Sequence, residues 1–141
     1  MDILLDASAI MTIILNEPNR EMVVNLTENS TLLSPDIISF EIGNALSNLF
    51  KRHKITEKEL FEAYGYFSSI PVRTVDVNIE KALKIACKYF MYAYDAYYLE
   101  VALRLKLPLI TFDEQMKNAA LNLKITVLDK PAGMEEKNES I

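Results

Sequence analysis

The chain has 141 residues, half of them hydrophobic and a quarter charged, with three glycines and five prolines. That is enough for one domain burying about two-thirds of its unfolded surface, and too apolar for a disordered chain. A net charge of −5 and a pI of about 4.9 exclude a bulk electrostatic grip on nucleic acid, so any such contact needs a local basic rim or metal ions.

No stretch nears the roughly 20 apolar residues of a membrane span. Asp2 stands where a secretory signal carries basic residues, and Ser8 and Thr12 break the apolar run, so no signal peptide is expected. The single cysteine, Cys87, excludes an internal disulfide and suits a cytoplasmic setting.

In chain order, DILL at 2–5 reads as a short buried strand, and Ser8 to Leu15 as a helix that Pro18 helps to close. NREMVVNLTE at 19–28 reads as a second helix and TLL at 31–33 as a strand. Pro35 fits a helix first turn, followed by the apolar stripe Ile38, Ile42, Ala45, Leu46 and Leu49 up to Lys51. The basic run 51–54, with the only histidine, His53, reads as a solvated helix end. Thr56 and Glu59 have capping-box spacing ahead of a helix carrying Leu60, Phe61, Tyr64 and Phe67. VRTV at 72–75 is strand-like, and Ile79, Leu83, Ala86 and Phe90 mark the core stripe of a helix that also takes in Cys87 as a buried thiol. A further helix runs from Asp95 to Leu105, and strands LPLIT (108–112) and ITVL (125–128) flank the helix DEQMKNAALNL. Short, nearly uncharged strands alternating with helices predict an α/β fold whose parallel sheet is covered on both faces. One domain is expected over 1–128, with a frayed polar tail at 129–141.

Four acids stand at the ends of apolar runs or inside an apolar helix: Asp6 in LLDASAI, Glu41 in IISFEIGNAL, Asp95 in YDAYYLEVA and Asp113 in LPLITFD. A parallel sheet gathers such element ends along the edge where ligands bind. Carboxylates brought together repel unless a cation neutralises them, and all-oxygen donors suit magnesium or manganese. Each acid also has a plainer reading. Asp95 and Asp113 can cap the helices they open, whereas Ser8 could cap the first helix and leave Asp6 free. Glu41 lies beside an apolar stripe, with Asn44 on its face one turn on. Tyr94, next to Asp95, is the tyrosine expected near a substrate. One cysteine and one distant histidine do not make a zinc site, and no glycine-rich phosphate loop is present.

LLDASAI, FEIGNAL, YDAYYLEVA and LPLITFD, in this order and spacing, resemble the PIN-domain nucleases, most closely the VapC-type toxins of toxin–antitoxin pairs. The resemblance implies a three-layer α/β/α domain with a central parallel sheet and metal-dependent cleavage of RNA, with Mg²⁺ or Mn²⁺ as cofactor. It places the acidic quartet on Asp6, Glu41, Asp95 and Asp113. Asp6, Asp95 and Asp113 would be the direct ligands, and Glu41 would complete the set or orient water. Ser8 and Thr111 match supporting hydroxyl positions, and Asn44 a polar position after the family's Glu. The chain departs where some members carry a further acid and it has Gln115 and Met116, which weakens a second metal position. The resemblance also implies a small antitoxin partner, for which Leu60, Phe61, Tyr64 and Phe67 offer an apolar helix face, and a homodimer.

Rival classes remain. An aspartate-nucleophile phosphatase normally has a second Asp where this chain has Ser8, and a phospho-acceptor domain needs acidic partners missing around Val75 and Asp76. A third class keeps the fold and the acids and only binds.

Overall fold

The computed structural model describes residues 1–129. Among them are four strands and seven helices: β1 (Asp2–Leu5), α1 (Ala7–Ile14), α2 (Arg20–Thr27), β2 (Thr31–Pro35), α3 (Ile38–Lys51), α4 (Glu57–Ser69), β3 (Val72–Val75), α5 (Ile79–Tyr89), α6 (Ala93–Leu105), β4 (Leu109–Ile110) and α7 (Glu114–Asn122). The strands form one parallel sheet in the order β3-β2-β1-β4. β1 sits inside it, with Leu4 opposite Leu33 on one side and Leu109 on the other. Ile3, Leu4 and Leu5 are wholly buried, as a strand covered on both faces requires.

The chain moves outward from β1 to β2 to β3, then returns across the sheet to β4. Right-handed crossovers running in opposite directions put their helices on opposite faces. Accordingly α1 packs with α2, α3 and α4, and α6 with α5 and α7. This is the three-layer α/β/α arrangement the sequence predicts. The strand order reverses between β1 and β4, and ligands of such sheets bind beyond the carboxyl ends of the strands there.

Several expectations are met in detail. Thr56 and Glu59 form the capping box, with Glu59 N–H donating to Thr56 Oγ1 at 3.1 Å and Thr56 N–H to Glu59 Oε1 at 3.0 Å. No helix among the described residues is long and apolar enough to cross a membrane. The basic run 51–54 is exposed at the end of α3.

Other expectations are corrected. Pro35 closes β2 opposite Val75 instead of opening a helix, since as the last strand residue it needs no further ladder donor. The strand expected over 108–112 shrinks to Leu109–Ile110, because the next free N–H groups, of Phe112 and Asp113, bond to the hydroxyls of Ser8 and Thr111. The strand expected over 125–128 is a single bridge between Val127 and Leu109. On α5 the stripe is read from the wrong side: Ala82 and Ile85 are buried, while Ile79, Leu83, Cys87 and Phe90 are exposed. The aromatic face of α4 divides, with Phe67 buried and Phe61 and Tyr64 outside. The tail expected at 129–141 lies, past Asp129, outside the described residues.

Six helix or turn ends are closed by residues with positive φ: Asn16, Asn29, His53, Phe90, Lys106 and Lys124. None is glycine. Phe90 holds this conformation with its ring 92% exposed.

Candidate metal-binding acidic site

Asp6 follows β1, and Asp113 follows β4 after two linking residues, so both stand at the point where the strand order reverses. The side chain of Asp6 is 3% exposed and fully engaged. Its Oδ1 accepts from Ser8 Oγ at 2.7 Å and from the Ala9 N–H at 2.9 Å, and its Oδ2 accepts from Thr111 Oγ1. Ser8 Oγ in turn accepts from Phe112 N–H at 2.9 Å, and Thr111 Oγ1 from Asp113 N–H at 3.0 Å. The two hydroxyls therefore tie the ends of β1 and β4 together through one carboxylate.

Asp6 and Asp113 are also both helix caps, of α1 and α7; Asp113 Oδ1 accepts from Met116 N–H at 2.7 Å. Asp6 rather than Ser8 caps α1, contrary to the expectation that Ser8 would free it. Capping occupies Oδ1 of Asp113, while Oδ2 accepts no hydrogen bond from the described residues. Asp95 is not a cap at all. Tyr92 holds that position without a side-chain bond, and Asp95 lies within the first turn of α6.

Glu41 sits in the first turn of α3, half-buried, and its Oε1 accepts from the Tyr98 hydroxyl at 2.7 Å. Tyr98 is itself buried on α6, one turn beyond Asp95, and spans the gap between the two helices. Beyond its spacing of three from Asp95, nothing in the sequence alone sets Tyr98 apart from the other helical tyrosines.

The electrostatics bind the four into one field. Burial pushes the Asp6 carboxyl up, against the lowering pull of Thr111, Ser8 and the Ala9 N–H, and the charge of Asp113 pushes the same way as burial. Glu41 is raised by burial first, then by the charges of Asp95 and Asp6, with the Tyr98 hydroxyl opposing. Asp95 is raised by burial, then by Asp113 and Asp6. Tyr98 is raised far above the ordinary phenol range, by burial and then by Glu41, and stays a donor.

Among the described residues the ion pairs are Lys58–Glu62, Arg104–Glu100 and Lys117–Glu114, so no basic side chain neutralises the quartet. Glu100, with Asp6 one of two fully buried acids among the described residues, is matched by Arg104 at 2.6 Å and belongs to the scaffold. No three acidic, His or Cys side chains among the described residues stand close enough to cage an ion. The donor chemistry still fits a hard dication: four oxygen acids, three of them (Asp6, Glu41 and Asp95) raised by burial and neighbouring negative charge, and no ion pair to any of the four among the described residues. The set is electrostatically poised rather than closed.

Beside Glu41 a cavity of about 590 Å³ opens, lined in part by Ala7, Phe40, Asn44, Asn48 and Tyr94. Asn44 and Tyr94 line this cavity together with Glu41. Phe40 and Asn48 were not singled out. Both share the face of α3 that carries Asn44, at helical spacing.

The comparisons with known proteins agree with this architecture. The PIN domain family profile matches residues 3–122. Ribonuclease VapC3 of Pyrobaculum aerophilum is 26% identical over 121 residues, covering 82% of this chain and 92% of that protein. Among solved structures, PAE2754 of Pyrobaculum aerophilum superposes with a TM-score of 0.65 at 24% identity, over 84% of this chain and 87% of that one. VapC20 of Mycobacterium tuberculosis, a toxin that cleaves the sarcin–ricin loop, superposes with a TM-score of 0.64 at 14% identity, over 92% and 99%. These two structures bear on the fold alone.

Proposed function

The chain belongs to the PIN domain family, and from that premise we propose that it is a metal-dependent endoribonuclease, the toxin of a VapC-type toxin–antitoxin pair. One observation carries the reading. Asp6 and Asp113 follow the two strands at which the sheet order reverses, the charges of Asp6, Glu41, Asp95 and Asp113 are linked through Asp6 and Asp95, and among the described residues no ion pair neutralises any of them. The ribonuclease among its relatives supports the same reaction class.

Asp6, Asp95 and Asp113 would hold Mg²⁺ or Mn²⁺, with Glu41 as a further oxygen donor. A bound dication supplies a water of lowered pKa and offsets charge at the phosphate under attack. The rest falls to the chain's own groups. Ser8, Thr111 and the Ala9 N–H fix the rotamer of Asp6, so its lone pairs face a constant direction. Tyr98 fixes one oxygen of Glu41 and leaves the other for one of two roles, as a further metal donor or as the group that orients the attacking water and accepts its proton. The raised affinity of Glu41 for protons favours that transfer.

The antitoxin would cover exposed apolar surface, for which Phe61 and Tyr64 on α4 are available. Ile79, Leu83 and Phe90 on α5 offer a face for a homodimer. Both assignments, like a cytoplasmic location, belong to the toxin reading.

The test is single-stranded RNA incubated with the protein in Mg²⁺, in Mn²⁺ and in EDTA. Cleavage in either metal, none in EDTA, and none with Asp95→Asn is the expected result. The uncaged acids also suit a PIN-like module that binds RNA without cutting it; retention of intact RNA in both metals would assign the protein there.

A further inference from the structure

The cavity beside Glu41 has a composition that the acids do not account for. Phe40 on α3 is 80% exposed and Tyr94 on α6 is 58% exposed, and both rings line it. Each directly precedes one of the quartet, Glu41 or Asp95. Tyr94 is backed edge-on by Tyr97, with centroids 5.7 Å apart and planes at 84°, which steadies its ring. Asn44 and Asn48 present two amides along the same wall, each able to donate and accept. Among the described residues the only charged one in the lining is Glu41, which repels a phosphate from the cavity but not a neutral aromatic ligand.

We propose that this cavity is a nucleobase subsite. It takes one unpaired base of an RNA strand whose neighbouring phosphate lies at the acids, with Phe40 and Tyr94 as stacking surfaces and Asn44 and Asn48 reading the base edge. The inference rests on the ribonuclease reading for its substrate and deepens it to unpaired RNA. Aromatic rings stack on any base, whereas amides that both donate and accept match the exposed edge of an extruded one. A base inside a duplex hides both its faces and its pairing edge. The cavity volume of about 590 Å³ is within the range of small-ligand clefts. An apolar side chain of a protein partner would leave both amides and the Tyr94 hydroxyl without partners, which disfavours that occupant.

The experiment measures binding of short oligoribonucleotides in EDTA, where cleavage cannot consume the probe, by fluorescence anisotropy. The strands differ at one position and are offered single-stranded and annealed. Phe40→Ala and Tyr94→Ala should each weaken single-strand binding about tenfold, with little change for duplex. Tyr94→Phe should retain affinity, and Asn48→Asp should change which base is preferred. Because Phe40, Tyr94 and Asn48 are exposed, these variants keep the fold, which circular dichroism checks. Alanine variants that bind like wild type, or duplex that binds as well as single strand, overturn the subsite. So do alanine variants that keep RNA affinity but lose a complex with a small protein encoded beside the gene. Base-selective binding with no cleavage in Mn²⁺ removes the nuclease reading and keeps the subsite. Cleavage by a wild type whose alanine variants bind unchanged does the reverse.

Discussion

The two lips of the acidic cleft are built differently. On one, Asp6 is buried and accepts three hydrogen bonds, and Asp113 is tied in through Thr111 and by capping α7. On the other, among the described residues, Asp95 accepts no side-chain hydrogen bond and Glu41 accepts one, from Tyr98. The first lip is a structural joint that would double as a ligand pair in the proposed site; the second is held mainly by its helices. Burial raises the Asp6, Glu41 and Asp95 carboxyls alike, but three hydrogen bonds offset part of that cost at Asp6 and one does so at Glu41, whereas every cause acting on Asp95 raises it.

The largest expected effect ignores this difference. On the proposed mechanism, Asp6→Asn and Asp95→Asn should each lower RNA cleavage about a hundredfold or more, since either would remove a charge assigned to the metal. A gel assay in Mn²⁺ checks this, and full activity in either variant takes that residue out of the mechanism.

Metal should next stabilise the fold. A dication binding only the folded state adds about 2.7 kcal/mol at a hundredfold excess over its dissociation constant. Melting in Mn²⁺ should therefore exceed melting in EDTA. Asp113→Asn should melt no lower than wild type in EDTA, because Asn caps nearly as well as Asp, and should gain much less from metal. A full metal gain in that variant makes Asp113 a cap and nothing more.

Smaller effects separate the lips. Ser8→Ala and Thr111→Val should each cost about 1–3 kcal/mol, since both strand ends lose a partner and the Asp6 carboxylate loses a donor. Asp95→Asn should cost nothing in EDTA and raise the melting point slightly. Equal losses on both lips, read from denaturant midpoints, would erase the distinction drawn above.

The smallest effect is in pH. The Asp95 and Glu41 carboxyls are raised in the folded state, so it binds their protons more tightly than the unfolded chain does. Their favourable contribution is complete below the ordinary carboxylate range and is lost as pH rises through the raised values. In EDTA, the stability of wild type relative to Asp95→Asn should therefore fall as pH climbs through that window. NMR titration of Tyr98→Phe should place Glu41 higher still, because a lowering hydrogen bond has gone. A relative stability that rises with pH would mean that Asp95 is held by an unseen donor.

Much of this was legible in the sequence because local signals and tertiary position agreed. DILL followed by Asp6 announces a buried strand opening onto an edge, and Thr56 with Glu59 announces a helix start. Where two faces competed, the sequence could not choose. On α5, Ile79, Leu83 and Phe90 outweigh Ala82 and Ile85 in hydrophobicity, yet the smaller set faces α6, where close packing favours alanine. The end of β4 was illegible for another reason. Its ladder is cut off by side-chain hydroxyls, an outcome that depends on Ser8 arriving from more than a hundred residues away. Tyr98 likewise needed α3 and α6 side by side before its hydroxyl had a meaning.

The six left-handed closures carry a consequence for how much alteration the protein tolerates. Each non-glycine residue held at positive φ costs about 1–2 kcal/mol relative to a conformation it prefers. Phe90 and Lys106 close α5 and α6 this way, and glycine at either would relax the backbone without touching the acids. The fold thus holds an unspent margin at its helix ends, remote from the chemistry. A lineage or an engineer could draw on that margin to tolerate a fifth carboxylate where Gln115 now stands, which the present balance of repulsion would otherwise penalise.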